Sequence, residues 1–331
     1  MSTQTVFAPT RQGYNLPVID VSQPAFAVAD DPESVEALRR TLAQMEHQRK
    51  RLPRFLMRWL VRWMARRSLL ARDLLFGKSA VLPALSTYVM KLGAGNLVAP
   101  FNTPLDQRFA AAPGSLSIRI RLQQLARLLS EGLAPELLAR PESPLHLVNI
   151  GGGTAIDSLN ALILLRHASP EALRGRPITI HVLDPDTEGP EFGERALAAL
   201  TREGPLNGLE VRFVHIPYNW NDTSGLARLV QELSASGAIV AASSEGALFE
   251  YGDDATVVSN LAALRSAPGV LLVGGTVTRA DDLTREFVTT SRFKLMPRGA
   301  QGLEPLARQA GFVVSQVKSA ILSDQVSLRP A

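Results

Sequence analysis

Hydrophobic and polar positions follow two rhythms along this chain, and the change comes at His146. Before it the spacing is helical. Asp31-Pro32-Glu33-Ser34 supplies an N-cap, a proline for the first turn and an acid near the positive end of a helix that should run to about Arg51. Pro53 opens a second helix, in which Arg54, Arg58, Arg62 and Arg66 recur every four residues while Phe55, Trp59, Leu60, Trp63 and Met64 cover the other side. Shorter helices are expected over 69–76, 80–92 and 117–131. The first 30 residues carry three prolines and little periodicity, the pattern of a partly extended arm. After His146, short β-branched runs at 147–150, 178–183, 211–216, 238–242 and 270–273 alternate with amphipathic runs at 155–166, 191–202, 224–234, 255–266 and 280–290. That alternation predicts a parallel sheet with helices on both faces. The runs at 312–318 and 325–328 flank only a few residues, so the sheet should close with an antiparallel hairpin. The expected organisation is an arm over 1–30, a helical cover over 31–144 and an α/β domain over 145–331.

Composition narrows the chemistry. Of 331 residues, 46% are hydrophobic and 20% charged, enough for a full core and too few charges for a disordered chain. No run approaches the roughly 18 apolar residues of a spanning helix. Residues 1–27 lack the ordered regions of a secretory leader, which points to a cytoplasmic protein without stable membrane insertion. The absence of cysteine removes disulfides, thiolate nucleophiles and cysteine metal sites. The five histidines show no close H-x-x-x-H pairing, so no metal is expected. The net charge of +4 hides an asymmetry: from Arg39 to Arg72 there are eleven Lys/Arg and one acid, Glu46, which leaves the remainder acidic. A local basic run of this kind does not suggest a nucleic-acid enzyme, whose basic residues would spread along a face. It suits either an anionic membrane surface or a helix that covers an active site, and the second reading is favoured.

The most informative motif is Leu147-Val148-Asn149-Ile150-Gly151-Gly152-Gly153-Thr154-Ala155-Ile156-Asp157. A buried strand runs through a glycine turn straight into a helix, so that backbone can approach a ligand and helix N–H groups point at it. A dinucleotide fingerprint needs a third glycine where Ile156 stands, and fails. The second strand ends in Leu183-Asp184-Pro185-Asp186, where a carboxylate can accept both hydroxyls of a ribose. Taken together with the terminal hairpin, these residues resemble the class I S-adenosylmethionine (SAM)-dependent methyltransferase superfamily over about 145–330. The resemblance implies a Rossmann-like sheet of five parallel strands plus a terminal antiparallel hairpin, with an N-terminal all-helical cover. It implies SAM as cofactor, with Gly151 and Gly153 passing its methionine part and Asp184, with Asp186 beside it, taking the ribose.

Two departures from the family stand out: Ala155 in place of a usual glycine, and Asn149 where members carry an acid. An amide at Asn149 would not favour the ammonium form of the SAM amine, which matters only if that amine reacts. After the third strand, Pro217-Tyr218-Asn219-Trp220-Asn221-Asp222 should flank the adenine, with Asn219 as a cofactor ligand. Tyr218 or Trp220 would offer a π face to the sulfonium. The alternative there is a capped turn with Asp222 as the cap. After the fourth strand comes Ser243-Ser244-Glu245-Gly246, beside the transferred carbon. Ser243 is then a cofactor contact, while Ser244 and Glu245, with Tyr218, are the catalytic candidates. Glu245 would act as base or else hold an arginine of the cover. The leading expectation is methyl transfer to a small-molecule nucleophile. A rival is cyclisation of SAM to azetidine-2-carboxylic acid and methylthioadenosine, which Asn149, the apolar helical cover, the absence of an obvious strong base and Tyr218 would all fit; a non-catalytic SAM-binding scaffold is a third. A small-molecule substrate and a homodimer, with no nucleic acid, complete the expected partners.

Overall fold

The computed structural model describes residues 4–331 apart from 52, 54, 56–61, 77–82 and 292, and leaves out the side chains of 73–75 and 290. Much of the expected arginine helix, Arg54, Arg58, Trp59 and Leu60 included, lies outside the described residues. The arm opens with a short antiparallel hairpin, β1 (Phe7–Pro9) and β2 (Asn15–Pro17). Strands of three residues are too short for an alternation to register in the sequence. Helix α1 (Pro32–Lys50) begins as expected, with the Ser34 N–H donating to the Asp31 carboxylate at 2.9 Å. Helix α2 (Leu69–Phe76) keeps its expected bounds, and α3 (Ala84–Leu92) starts behind Pro83. A capping box at Thr103 and Asp106 starts α4 (Pro104–Ala111). Helix α5 (Pro113–Ala139) is longer than expected, because it continues through Pro135. A proline removes one ladder N–H and normally ends a helix, yet this one runs four residues beyond it.

The sheet is built from parallel strands β3 (Leu145–Ile150), β4 (Ile178–Leu183), β5 (Val211–Ile216), β6 (Ile239–Ser244) and β7 (Val270–Thr278). The hairpin of β8 (Phe312–Ser319) and β9 (Ser323–Pro330) completes it, in the order β5-β4-β3-β6-β7-β9-β8. Strand β9 pairs antiparallel with both β7 and β8. Helices α6 (Ile156–Ala168), α7 (Glu188–Glu203), α8 (Ser224–Ala235), α9 (Leu248–Tyr251), α10 (Asp254–Arg265), α11 (Asp282–Thr290) and α12 (Gly299–Gln309) fill the connections.

The period of two in the strands sorts the side chains into two cores. Leu145, Leu147, Ile180 and Ile239 face a core shared with Leu125, Leu129, Leu162 and Leu197. Val148, Ile150, Val240 and Val273 face the other, with Leu226, Val257, Leu261 and Leu303. Helix α5 lies directly on the sheet: a Cβ at Gly132 would stand 2.8 Å from the Leu272 side chain. The arm is stitched into the first core as well. The Tyr88 hydroxyl donates to the Pro17 carbonyl at 2.7 Å and accepts the Ile19 N–H at 3.0 Å, while the Asn160 amide accepts the Val21 N–H at 2.8 Å. Strand order reverses between β3 and β6, and in open α/β sheets ligands sit at the carboxyl ends of the strands beside such a reversal.

Candidate functional site

At that reversal β3 ends in the glycine turn. Gly151 and Gly153 have φ of 61° and 51°, in the left-handed region, and α6 begins immediately after. Space alone requires glycine here. A Cβ at Gly151 would lie 2.5 Å from the Cβ of Ala247, and one at Gly152 would lie 2.4 Å from the Cβ of Asn149. The Gly153 N–H donates to Asp184 Oδ2 at 2.8 Å and the Asp186 N–H to Asp184 Oδ1 at 2.9 Å, which fixes the carboxylate at the tip of β4 against the turn. Burial raises the Asp184 carboxyl above its ordinary value, and the N–H groups of Asp186 and Gly153 oppose that. Each oxygen keeps a second lone pair.

A cavity of about 1340 Å³ opens from this corner, bordered by Gly151, Gly153, Asp184, Asp186, Trp220 and Glu245. The Trp220 ring passes 3.3 Å from the position a Cβ on Gly151 would take. Helix α3 closes one side, with Ala84 above Gly153 and Lys91 reaching down to the loop after β6. The bare glycine backbone, the tethered acid and the ring beside them fit the methionine, ribose and sulfonium parts of SAM. Among the described residues no group of three or more His, Asp or Glu is placed to hold a metal ion.

The floor of the cavity carries a buried charge cluster. Glu245 pairs with both Lys91 and Arg121; Arg121 also donates to Glu250 at 3.0 Å, and the Thr278 hydroxyl donates to Glu250 at 2.9 Å. Burial would raise the Glu245 carboxyl, but Arg121 and Lys91 outweigh it and hold the group below its ordinary range. Burial lowers the Lys91 ammonium, with Glu245 opposing, and raises the Glu250 carboxyl, with Arg121 opposing.

Several expected site residues have other duties. Glu245 is not a free base: its carboxylate holds the arginine and lysine of the covering helices. Ser244 donates to the Ile150 carbonyl and accepts the Leu248 N–H, both at 2.9 Å, so its hydroxyl is a cap for α9. Tyr218 donates to Asn260 at 2.6 Å within the second core and does not border the cavity; of the two aromatic candidates, Trp220 is the one that does. Asn219 is exposed and accepts the Asn221 N–H at 3.1 Å, while Asp222 accepts the Ser224 N–H at 3.1 Å, which makes this loop the capped turn.

Asn149 and Ser243 lie beneath the turn, away from the cavity lining, in a closed network. The Asn149 amide donates to Asp157 and Ser243 at 2.8 Å and accepts from Ser158 at 2.9 Å; Ser243 donates to Asp157 at 2.7 Å. Burial pushes the Asp157 carboxyl up to about 6. The residues that sequence reasoning missed are Lys91, Arg121, Glu250 and Asp157. Two of them carried a signal: Lys91 and Glu250 are single charges within short apolar runs, and such charges stay buried only when paired, whereas Arg121, between Arg119 and Gln123, carried none.

No protein-family model matches the chain, and no curated protein does. Among solved structures, the mitomycin 7-O-methyltransferase MmcR is 17% identical, with 82% of this chain and 66% of that one covered at a TM-score of 0.42. The Burkholderia thailandensis 1,6-didemethyltoxoflavin-N1-methyltransferase, solved with 1,6-didemethyltoxoflavin and S-adenosylhomocysteine, is 18% identical over 62% of this chain and 78% of that one, at 0.38. LepI, solved with SAH and a substrate analogue, is 14% identical over 90% and 94%, at 0.45. Likeness at this level is too slight to carry a role for any residue, and the fold rests on the strand order of the chain itself. Five parallel strands reversing between β3 and β6, closed by an antiparallel β8–β9 hairpin, make this the class I SAM-dependent methyltransferase fold.

Proposed function

We propose that the chain binds SAM between the glycine turn and Asp184 and transfers its methyl group to a bulky, apolar small molecule. The observation that carries this reading is the size and lining of the cavity. At about 1340 Å³ it exceeds the roughly 300–1,000 Å³ of an ordinary ligand site. Beyond the glycine turn it is bordered by Met45, Met64, Met90, Phe109, Phe287 and Phe293. Cyclisation of SAM needs no second molecule, and two of the residues that would serve it, Asn149 and Tyr218, are bound up elsewhere.

SAM supplies an electrophilic methyl group on a sulfonium, so the protein has mainly to align the acceptor and exclude water. Gly151 and Gly153 offer backbone, Asp184 accepts the ribose hydroxyls and Trp220 presents a π face to the cation. Helix α3 shields the reacting carbon. With Glu245 and Glu250 both held by cations, neither carboxylate of this cluster is free to take a proton. The acceptor is therefore one whose nucleophile is already anionic, or one that releases its proton to solvent on transfer. The test is mass spectrometry of the protein with SAM, alone and with a panel of hydrophobic phenols and enols. S-adenosylhomocysteine formed only when an acceptor is present supports transfer. Methylthioadenosine formed from SAM alone would overturn it in favour of ring closure.

A further inference from the structure

We propose that the mouth of this cavity docks on an anionic lipid bilayer. The docking stands on the surface itself and holds whatever reaction the cavity carries. On the side of α1 the cavity reaches solvent at Met45, 47% exposed, at Gln48 and at the half-buried Arg49; Pro185 and Asp186 border it and are exposed as well. Met64 borders the same space, which brings the stretch 62–67 to the rim.

Charge there is one-sided. Arg51, Arg62, Arg66 and Arg67 are exposed and have no acidic partner among the described residues. The acids near them are engaged: Glu46 is buried within 2.8 Å of Arg49, and Glu286 lies 2.7 Å from Lys50. Lys294 is exposed between Phe293 and Leu295, which border the cavity from the far side. Apolar groups are bare on either side of 62–67 along the chain: Phe55 is 75% exposed and Phe76 52%. Trp63 lies half-buried with the Arg67 guanidinium 4.6 Å from its ring centre.

A bilayer with anionic headgroups takes both kinds of group at once, cations at the headgroups and aromatic and Met side chains at the acyl boundary. A second copy of the chain is the poorer occupant, since a two-fold contact would set this basic surface against itself. No helix among the described residues is long and apolar enough to cross a membrane, so the contact is peripheral.

The experiment is flotation of the full chain with vesicles of equal parts phosphatidylglycerol and phosphatidylcholine, against vesicles of phosphatidylcholine alone. Binding to the first and not the second, released by high salt, is the expected result. The triple variant Arg62→Glu, Arg66→Glu, Arg67→Glu should lower partitioning by more than about a hundredfold. Phe55→Ser should lower it at unchanged net charge. No flotation, equal flotation on both vesicles, or full flotation of the triple variant would overturn the proposal. So would light scattering showing a dimer that the same substitutions dissolve, or retention on duplex DNA that competes with the vesicles and is indifferent to Phe55→Ser. Salt release of the wild-type chain keeps the test sound should the triple variant fail to fold.

Discussion

Gly151 and Ala155 stand four residues apart in the left-handed region and carry that conformation differently. At Ala155, φ is 50° and the methyl group is fully buried in the core. An L residue there costs roughly 1–2 kcal/mol, and burying a methyl returns about 0.8 kcal/mol, so the strain is nearly offset. Gly151 has no such offset, because its missing methyl would meet the Cβ of Ala247 at 2.5 Å. Gly151→Ala should therefore destabilise the fold by about 2–3 kcal/mol, strain and overpacking together, and weaken cofactor binding. Urea unfolding checks the first and a SAM titration the second; a variant as stable as the parent would contradict the turn geometry. Asp157 adds a residue-scale surprise. The carboxylate that Asn149 lacks is supplied from α6, 2.8 Å away, and it organises the layer under the turn without bordering the cavity.

Among elements, α3, α5 and the loop after β6 are joined by the cluster of Lys91, Arg121, Glu245 and Glu250. Removing one partner from such a buried group leaves charge without compensation. Arg121→Met should cost about 3–5 kcal/mol at neutral pH, with the loss shrinking as pH falls and the two glutamates take up protons. Denaturant midpoints of parent and variant across pH test this, and a pH-independent difference would contradict it. The elements themselves were unevenly legible in the sequence. Strands β4 and β5 occur residue for residue where the pattern predicts them, since Pro177 and Pro185, and Gly208 and Pro217, bracket short runs rich in β-branched residues. Strand β7 runs to Thr278, five residues past its predicted end, because Gly274-Gly275 read as a break. Their real reason is proximity: a Cβ at Gly275 would lie 2.0 Å from the Phe249 ring, and one at Gly274 2.9 Å from Leu125 and Leu129. The same limit hid the site. The glycine turn and Asp184 declare themselves locally, whereas the partners of Tyr218, Ser244 and Glu245 come from elsewhere in the chain and no spacing encodes them.

At the scale of the molecule, arm, covering helices and sheet share one core, to which Leu16, Ile19, Leu70 and Leu92 contribute as fully as the strands do. Deleting residues 1–30 should therefore cost several kcal/mol by uncovering that core, and circular dichroism melts of the truncated chain should show a broad, early transition. An unchanged melt would mean that the arm only rests on the surface. The sheet also carries a pH dependence. His146 Nδ1 and His181 Nε2 lie 2.9 Å apart, and burial, with His146 beside it, pushes His181 down to about 4. The unfolded chain then binds more protons than the native one between that value and an ordinary histidine pKa. The contribution of His181 to stability should be fully present above about pH 6.5 and fall by about 2–3 kcal/mol as pH drops toward 4. His181→Gln should flatten that slope, and equal slopes in the two proteins would remove the pair as its cause. The central claim is SAM at the glycine turn with its ribose on Asp184, and calorimetric titration with S-adenosylhomocysteine tests it most directly. The account predicts micromolar binding to the parent chain, weakened in Asp184→Ala by about 1–3 kcal/mol through the lost charged hydrogen bonds. Absence of binding to the parent, or equal affinity in the folded variant, would contradict it.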